Sequence, residues 1–167
     1  MDVLDELIRP ATLDDAGQIA EIYNHYVLTS TITFEEEPVS APEMAQRIAD
    51  IQATSLPWFV ATRDHRVTGF AYAHKWKVRA AYRHSTEVTV YVRSGLDNSG
   101  TGSRLYAQLF AALKAVGAHA VIGGVALPNE ASLRLHQKFG FEKVAHFKEV
   151  GFKFNRWVDV TYWQLTL

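Results

Sequence analysis

Apolar positions along the chain switch between two periods, and the switches mark out its elements. Residues 8–11, Ile-Arg-Pro-Ala, read as a short strand entering a turn. Thr12 stands three residues before Asp15, an acidic form of the capping box, and Ala16, Ile19, Tyr23 and Tyr26 follow at helical spacing. A loop over 29–37 carries Phe34 in polar company. Ser40 then opens a second helix, with Pro42 tolerated in its first turn and Met44, Ile48 and Ile51 on its apolar face. Stretches 58–62 and 67–72 predict two strands around a hairpin at 63–66, and the β-rich run 87–92 predicts a central strand. A turn-rich segment, 94–102, leads into a helix with Leu105, Leu109, Leu113 and Val116 on one face, which Gly117 is placed to end. A strand at 120–127 precedes a short helix that Pro128 and Asn129 open and Gly140 closes; strands near 141–147 and 157–165 finish the chain. The order contains no repeat, low-complexity tract or linker. It predicts a single domain over 1–167, a mixed α/β (α+β) fold with one open, mixed β-sheet flanked by helices.

Composition narrows the classes of function. Hydrophobic residues make up 48% of the chain, enough for a packed core and against disorder. Basic and acidic residues number 17 and 18 and no basic stripe stands out, which argues against nucleic acid as the main partner. There is no cysteine, so neither a thiol nucleophile nor a thiolate ligand is available, and the seven histidines show no metal-ligand spacing. No metal is expected. The N-terminus is too acidic for a signal peptide, and no apolar run reaches the roughly 18–20 residues of a membrane span. A soluble cytoplasmic protein without membrane partners is expected.

The chemistry concentrates after the central strand. A helix beginning near Gly100 presents unpaired N–H groups, and Gly100 and Gly102 let anionic oxygens approach them. That arrangement suits a phosphate or pyrophosphate; equally, two glycines can simply ease a turn. The segment is not a Walker A loop, for no Gly-Lys-Ser/Thr follows, and it lacks the full glycine pattern of a dinucleotide fold.

Asp97-Asn98-Ser99-Gly100-Thr101-Gly102 resembles the Q/R-x-x-G-x-G/A loop of the GNAT superfamily of N-acetyltransferases, between the same strand and helix. The Asn129-led segment through His136 to Gly140-Phe141 resembles the superfamily's second signature. Residues 77–82, 87–92 and 150–160 are similar to the phosphinothricin and methionine sulfoximine/sulfone acetyltransferases, and the likeness runs from Ile8 to the C-terminus. One position departs: Asp97 stands where the loop has Gln or Arg, a carboxylate beside an expected pyrophosphate.

The resemblance implies acetyl-CoA as acetyl donor, direct transfer to the α-amine of a small amino-acid-like substrate, and a homodimer. It implies a cofactor site of Val90, Tyr91, Val92, Asn98, Ser99, Gly100, Thr101, Gly102, Ser103 and Asn129. Asn129 would touch the pantetheine arm, cap its helix, or both. Glu87 matches the general base that must free the amine of its proton; read alone, it is a strand residue of either role. His136 sits where much of the superfamily has a tyrosine that serves the leaving thiolate, and imidazole suits that task near neutral pH. A backbone N–H near Val88 or Val90 would face the developing oxyanion. Lys77 and Arg79 match the substrate segment and would hold a carboxylate, although two surface cations would read the same way. Phe34, Val78, Tyr82, Val88 and Thr89 match further substrate positions. Two other readings stay open: a GNAT enzyme for a polyamine, aminoglycoside or protein N-terminus, and a CoA-binding module without catalysis.

Overall fold

A computed structural model describes residues 5–167. Strand β1 (Leu7–Pro10) leads through a 3₁₀ turn at Leu13–Asp15 into helices α1 (Ala16–Thr29) and α2 (Ala41–Ala53). Strands β2 (Trp58–Arg63), β3 (Arg66–Lys75) and β4 (Ser85–Val92) follow, then α3 (Thr101–Ala115), β5 (Ala120–Ala126), α4 (Glu130–Lys138), β6 (Glu142–Lys153) and β7 (Arg156–Thr166). The seven strands form one sheet in the order β1-β2-β3-β4-β5-β7-β6. Only β4 and β5 pair in parallel.

The two faces of the sheet are buried by different helices, which is why β2 reads as an unbroken apolar run, Trp-Phe-Val-Ala. Trp58 and Val60 pack with α1 and α2 through Ile19, Ile22, Tyr23, Met44 and Ile48. Phe59 and Ala61 join the opposite core, with Leu105, Leu109, Phe110 and Leu113 of α3. Capping follows the sequence logic. Ser40 accepts from the Glu43 N–H at 3.2 Å, and the Asp15 carboxylate accepts from the Thr12 N–H at 2.8 Å. Asp64 and His65 both have positive φ, the turn geometry whose twist suits a two-residue hairpin.

Three boundaries differ from the sequence reading. Helix α3 stops at Ala115, so Val116 is its exposed C-cap and not part of the apolar face. Strand β3 continues through His74 and Lys75, because β4 pairs with it from Val92 back to Thr86. Strand β6 runs on to Lys153 through an irregularity between Phe147 and Gly151. Among the described residues no helix is long and apolar enough to cross a membrane.

The opening at the centre of the sheet arises from one short ladder. Strands β4 and β5 pair only over Ser85–Glu87 and Ala120–Ile122. Beyond Glu87 they part, and the 88–92 edge is left facing a gap. Residues of α3 and α4 line one part of it, residues of the β6–β7 hairpin with Phe34 line the other, and Ile32 borders both.

Candidate active site

Two cavities meet where β4 and β5 diverge. The wider, about 740 Å³, is lined by Phe34, Trp76, Lys77, Glu87, Tyr162 and neighbours from β5–β7. The narrower cleft, about 240 Å³, runs along Val88, Thr89, Val90, Tyr91 and Val92 to Gly102, Tyr106, Asn129 and His136. Ile32, Gly124 and Ala126 border both.

Glu87 is the last β4 residue paired to β5, so its side chain stands at the fork. It is half-buried, and burial pushes its pKa up, with His74 and Lys77 pulling the other way. His136 is buried on α4, and burial lowers its pKa. Its Nδ1–H donates to the Ser132 carbonyl at 2.7 Å, which leaves the Nε2 lone pair to accept from the Tyr106 hydroxyl at 3.2 Å. This is a neutral imidazole in a fixed tautomer. It reaches so far in because β5 carries glycine: a Cβ on Gly123 would lie 2.5 Å from His136 Nε2. On the next residue, Gly124, a Cβ would lie 3.5 Å from Glu87 Oε1. The Gly-Gly pair in an otherwise β-rich run is the sequence signal that reading by motif missed.

Phe34 is positioned by the β6–β7 hairpin. Its ring packs on Gly151, Lys153 Nζ donates to the Thr33 carbonyl at 2.9 Å, and Arg156 donates to the Thr31 hydroxyl at 3.1 Å. Lys77 lines the wider cavity with its Nζ 4.7 Å from the centre of the Trp76 ring. Thr89 and Val88 line the cleft. Val78, Arg79 and Tyr82 are exposed on the loop joining β3 to β4 and line neither cavity. Trp76 and Tyr162 pack edge to face, 5.8 Å apart, in the cavity wall; no motif marked them.

The start of α3 has the form an anion needs. Gly100 is its N-cap, with φ of 82°, and a Cβ there would lie 2.9 Å from the Arg104 guanidinium. Gly102 and Ser103, in the first turn, have N–H groups without intrahelical partners. Thr101 is buried; its hydroxyl donates to Glu6 at 2.9 Å and its N–H to the Ser99 hydroxyl oxygen at 3.4 Å, so its hydroxyl is not open to an anion. Ser99 bonds Thr101 through their hydroxyls at 2.8 Å, and Asn98 turns with φ of 61°. Asp97 faces the cleft and its charge raises the pKa of Tyr26, whose main cause is burial. Lys138 reaches from α4 to the Ser103 hydroxyl at 3.0 Å. Asn129 caps α4, accepting from the Ser132 N–H at 3.2 Å, and borders the cleft as well.

The chain is 39% identical to the phosphinothricin N-acetyltransferase of Streptomyces viridochromogenes, over 94% of this chain and 85% of that one. It is 33% identical to the L-methionine sulfoximine/L-methionine sulfone acetyltransferase of Salmonella typhimurium, over 96% of this chain and 94% of that one. The crystal structure of a GNAT superfamily phosphinothricin acetyltransferase from Sinorhizobium meliloti in complex with AcCoA superposes with a TM-score of 0.94. That protein is 34% identical, and the match covers 98% of this chain and 89% of its own. Residues 8–162 match the Acetyltransferase (GNAT) domain, and with it the chain belongs to the GNAT family of acetyltransferases.

Proposed function

We propose that this acetyl-CoA-dependent N-acetyltransferase acetylates the α-amine of a small amino-acid analogue of the methionine sulfone, methionine sulfoximine or phosphinothricin kind. The observation that carries the reading is the fork. One carboxylate, Glu87, stands in the wall of a cavity with ample room for an amino acid, and that cavity opens beside Gly124 into a cleft ending at His136. Acetyl-CoA suits the cleft: the free edge of Val90, Tyr91 and Val92 can take an amide-bearing arm, and the N–H groups about Asn98–Ser103 can take a pyrophosphate. Lys138 supplies a positive charge beside them.

In the wider cavity Glu87 takes a proton from the substrate ammonium, and the free amine attacks the thioester carbonyl. The new C–N bond forms as the C–S bond breaks. An N–H near Val88 or Val90 faces the developing oxyanion. The second proton that the attacking nitrogen sheds would end on the departing thiolate, and the Tyr106 hydroxyl, held on the His136 Nε2 lone pair, would pass it there. Lys77 meets the substrate carboxylate, while Phe34, Trp76 and Tyr162 enclose its side chain. A cavity in which Glu87 is the only lining carboxylate among the described residues, with Lys77 beside it, is a poor host for polycations, which counts against a polyamine or aminoglycoside.

The test is thiol release from acetyl-CoA over a panel of methionine sulfone, its decarboxylated amine, a polyamine and an N-terminal peptide. The sulfone should win, and Lys77→Ala should lose about 2–4 kcal/mol of its advantage over the decarboxylated amine. Arg79→Ala is the control that decides whether the exposed arginine also reads the carboxylate. Equal rates on acid and decarboxylated amine would refute the substrate class. A cytoplasmic homodimer completes the proposal. The β6–β7 hairpin exposes Val144, Val150, Phe152 and Trp157, more apolar surface than one hairpin of a monomer ordinarily shows. Sedimentation equilibrium should give twice the chain mass, and Trp157→Glu should lower it.

A further inference from the structure

Glu87 has a neighbour that its role as base does not account for. On β3, directly across the ladder from Glu87, stands His74, with its Nε2 3.6 Å from Glu87 Oε2. Its Nδ1 lies 3.0 Å from the Lys75 carbonyl, which can only accept; Nδ1 therefore carries a hydrogen, and Nε2 is the nitrogen that faces the carboxylate and can take up or release a proton there. A small rotation of either side chain, or one bridging water, brings the two into proton-transfer contact. The pair also joins two spaces. Glu87 lines the wider cavity, whereas His74 lines a separate one of about 250 Å³ on the far side, with Tyr23, Arg47, Asp50 and Tyr72. The His74 side chain is 40% exposed, against 25% for Glu87.

We propose that His74 is a proton-relay residue that carries the substrate's proton from Glu87 to solvent. The inference rests on Glu87 being the base. Acetylation of an ammonium yields amide, thiol and one free proton, which must leave while substrate and acetyl-CoA fill both routes to the fork. The carboxylate takes the proton from nitrogen, passes it to Nε2, and is ionised again; the imidazolium then releases it through its exposed side. Imidazole suits this because it exchanges protons between about pH 5 and 8. The charged groups about it are Glu87 on β4, Arg47 and Asp50 on α2 and Lys77 beyond Glu87, with the phenols of Tyr23 and Tyr72. Arg47 is occupied, paired at 2.6 Å with Glu35 and at 2.9 Å with Glu43.

A relay has a signature that an ion pair lacks: an external proton acceptor replaces it. Turnover is measured at saturating substrates and falling buffer concentration for the wild type, His74→Ala, His74→Gln and Glu87→Gln. The wild type should be indifferent to buffer. Both His74 variants should lose roughly 10-fold or more in kcat at low buffer, keep the KM for acetyl-CoA, and recover with added imidazole. Their acid limb in kcat/KM should move to higher pH, since His74 holds the Glu87 pKa down. Buffer-independent, near-wild-type turnover of the His74 variants would overturn the relay, as would a loss that imidazole does not restore. Glu87→Gln separates the two claims. Inactivity without rescue supports the base, and full activity refutes it. Full activity of that variant beside a rescuable His74→Ala would make His74 the base itself and overturn the relay.

Discussion

A carboxylate becomes a useful base when its surroundings withhold water without neutralising it, and Glu87 sits at that balance. Burial pushes its pKa up, and the neighbouring His74 and Lys77 limit the rise. The residue must be ionised to accept a proton, so kcat/KM should fall as pH drops through that raised value. Glu87→Gln should lower kcat by roughly 10²–10⁴-fold with acetyl-CoA affinity retained. The deficit should narrow at high pH, where the substrate amine sheds its proton unaided; a pH-rate profile of variant and wild type shows it. His136→Ala should cost less, because a thiolate departs tolerably without full protonation. Glu87 stood out in the sequence only through the family resemblance, since a lone Glu in a strand has no local signal. His74 did not stand out, because a strand reading that stopped at residue 72 leaves it in a loop, and only the β3–β4 register sets it opposite Glu87.

At the level of elements, the loop and first turn of α3 form one device. Arg104, from the second turn, lies against Gly100, donates to the Ser99 carbonyl at 3.3 Å and pairs with Glu6, whose side chain is buried beneath the helix start. Gly100→Val would need a left-handed β-branched residue and would push this guanidinium aside, so the N–H groups of the turn would no longer converge. Calorimetry should find acetyl-CoA binding abolished in a variant that melts like the wild type; unchanged affinity would remove the pyrophosphate from this turn. The glycines and the helix behind them were plain from sequence, since turn chemistry and a 3.6 period are local. The Glu6 anchor was not, for it joins residues 98 positions apart. The same limit explains the substrate segment. Lys77 and Arg79 alternate in sequence and read as a pair, but the loop between β3 and β4 turns only Lys77 into the cavity.

Over the whole molecule, stability and catalysis pull the ionisable groups in different directions. Bonds from Arg9 hold the Asp15 pKa low against burial, and bonds from Arg47 do the same for Glu35. For Glu6 burial acts to raise the value, and bonds from Arg104, Thr68 and Thr101 outweigh it. A depressed carboxylate stabilises fully above its unfolded pKa, near 4, and that contribution is lost as pH falls through the folded value. His136 adds to acid sensitivity earlier. Its lowered pKa lets the unfolded chain take the proton first, so its contribution begins to fade below about pH 6.5. Glu87 has the opposite sign. Its folded pKa lies above the unfolded one, so the folded protein binds that proton more tightly, and stability declines as pH rises through the folded value. The charge that makes the base is thus held at the expense of the fold. Glu87→Gln keeps the shape and removes the charge, so it should raise Tm at pH 7.5 in the same preparation that has lost turnover. The gain should shrink toward pH 4, where the wild-type carboxyl is already protonated in the folded protein. Scanning calorimetry of the two proteins at both pH values decides it, and an unchanged Tm at pH 7.5 would mean that Glu87 is ionised without strain.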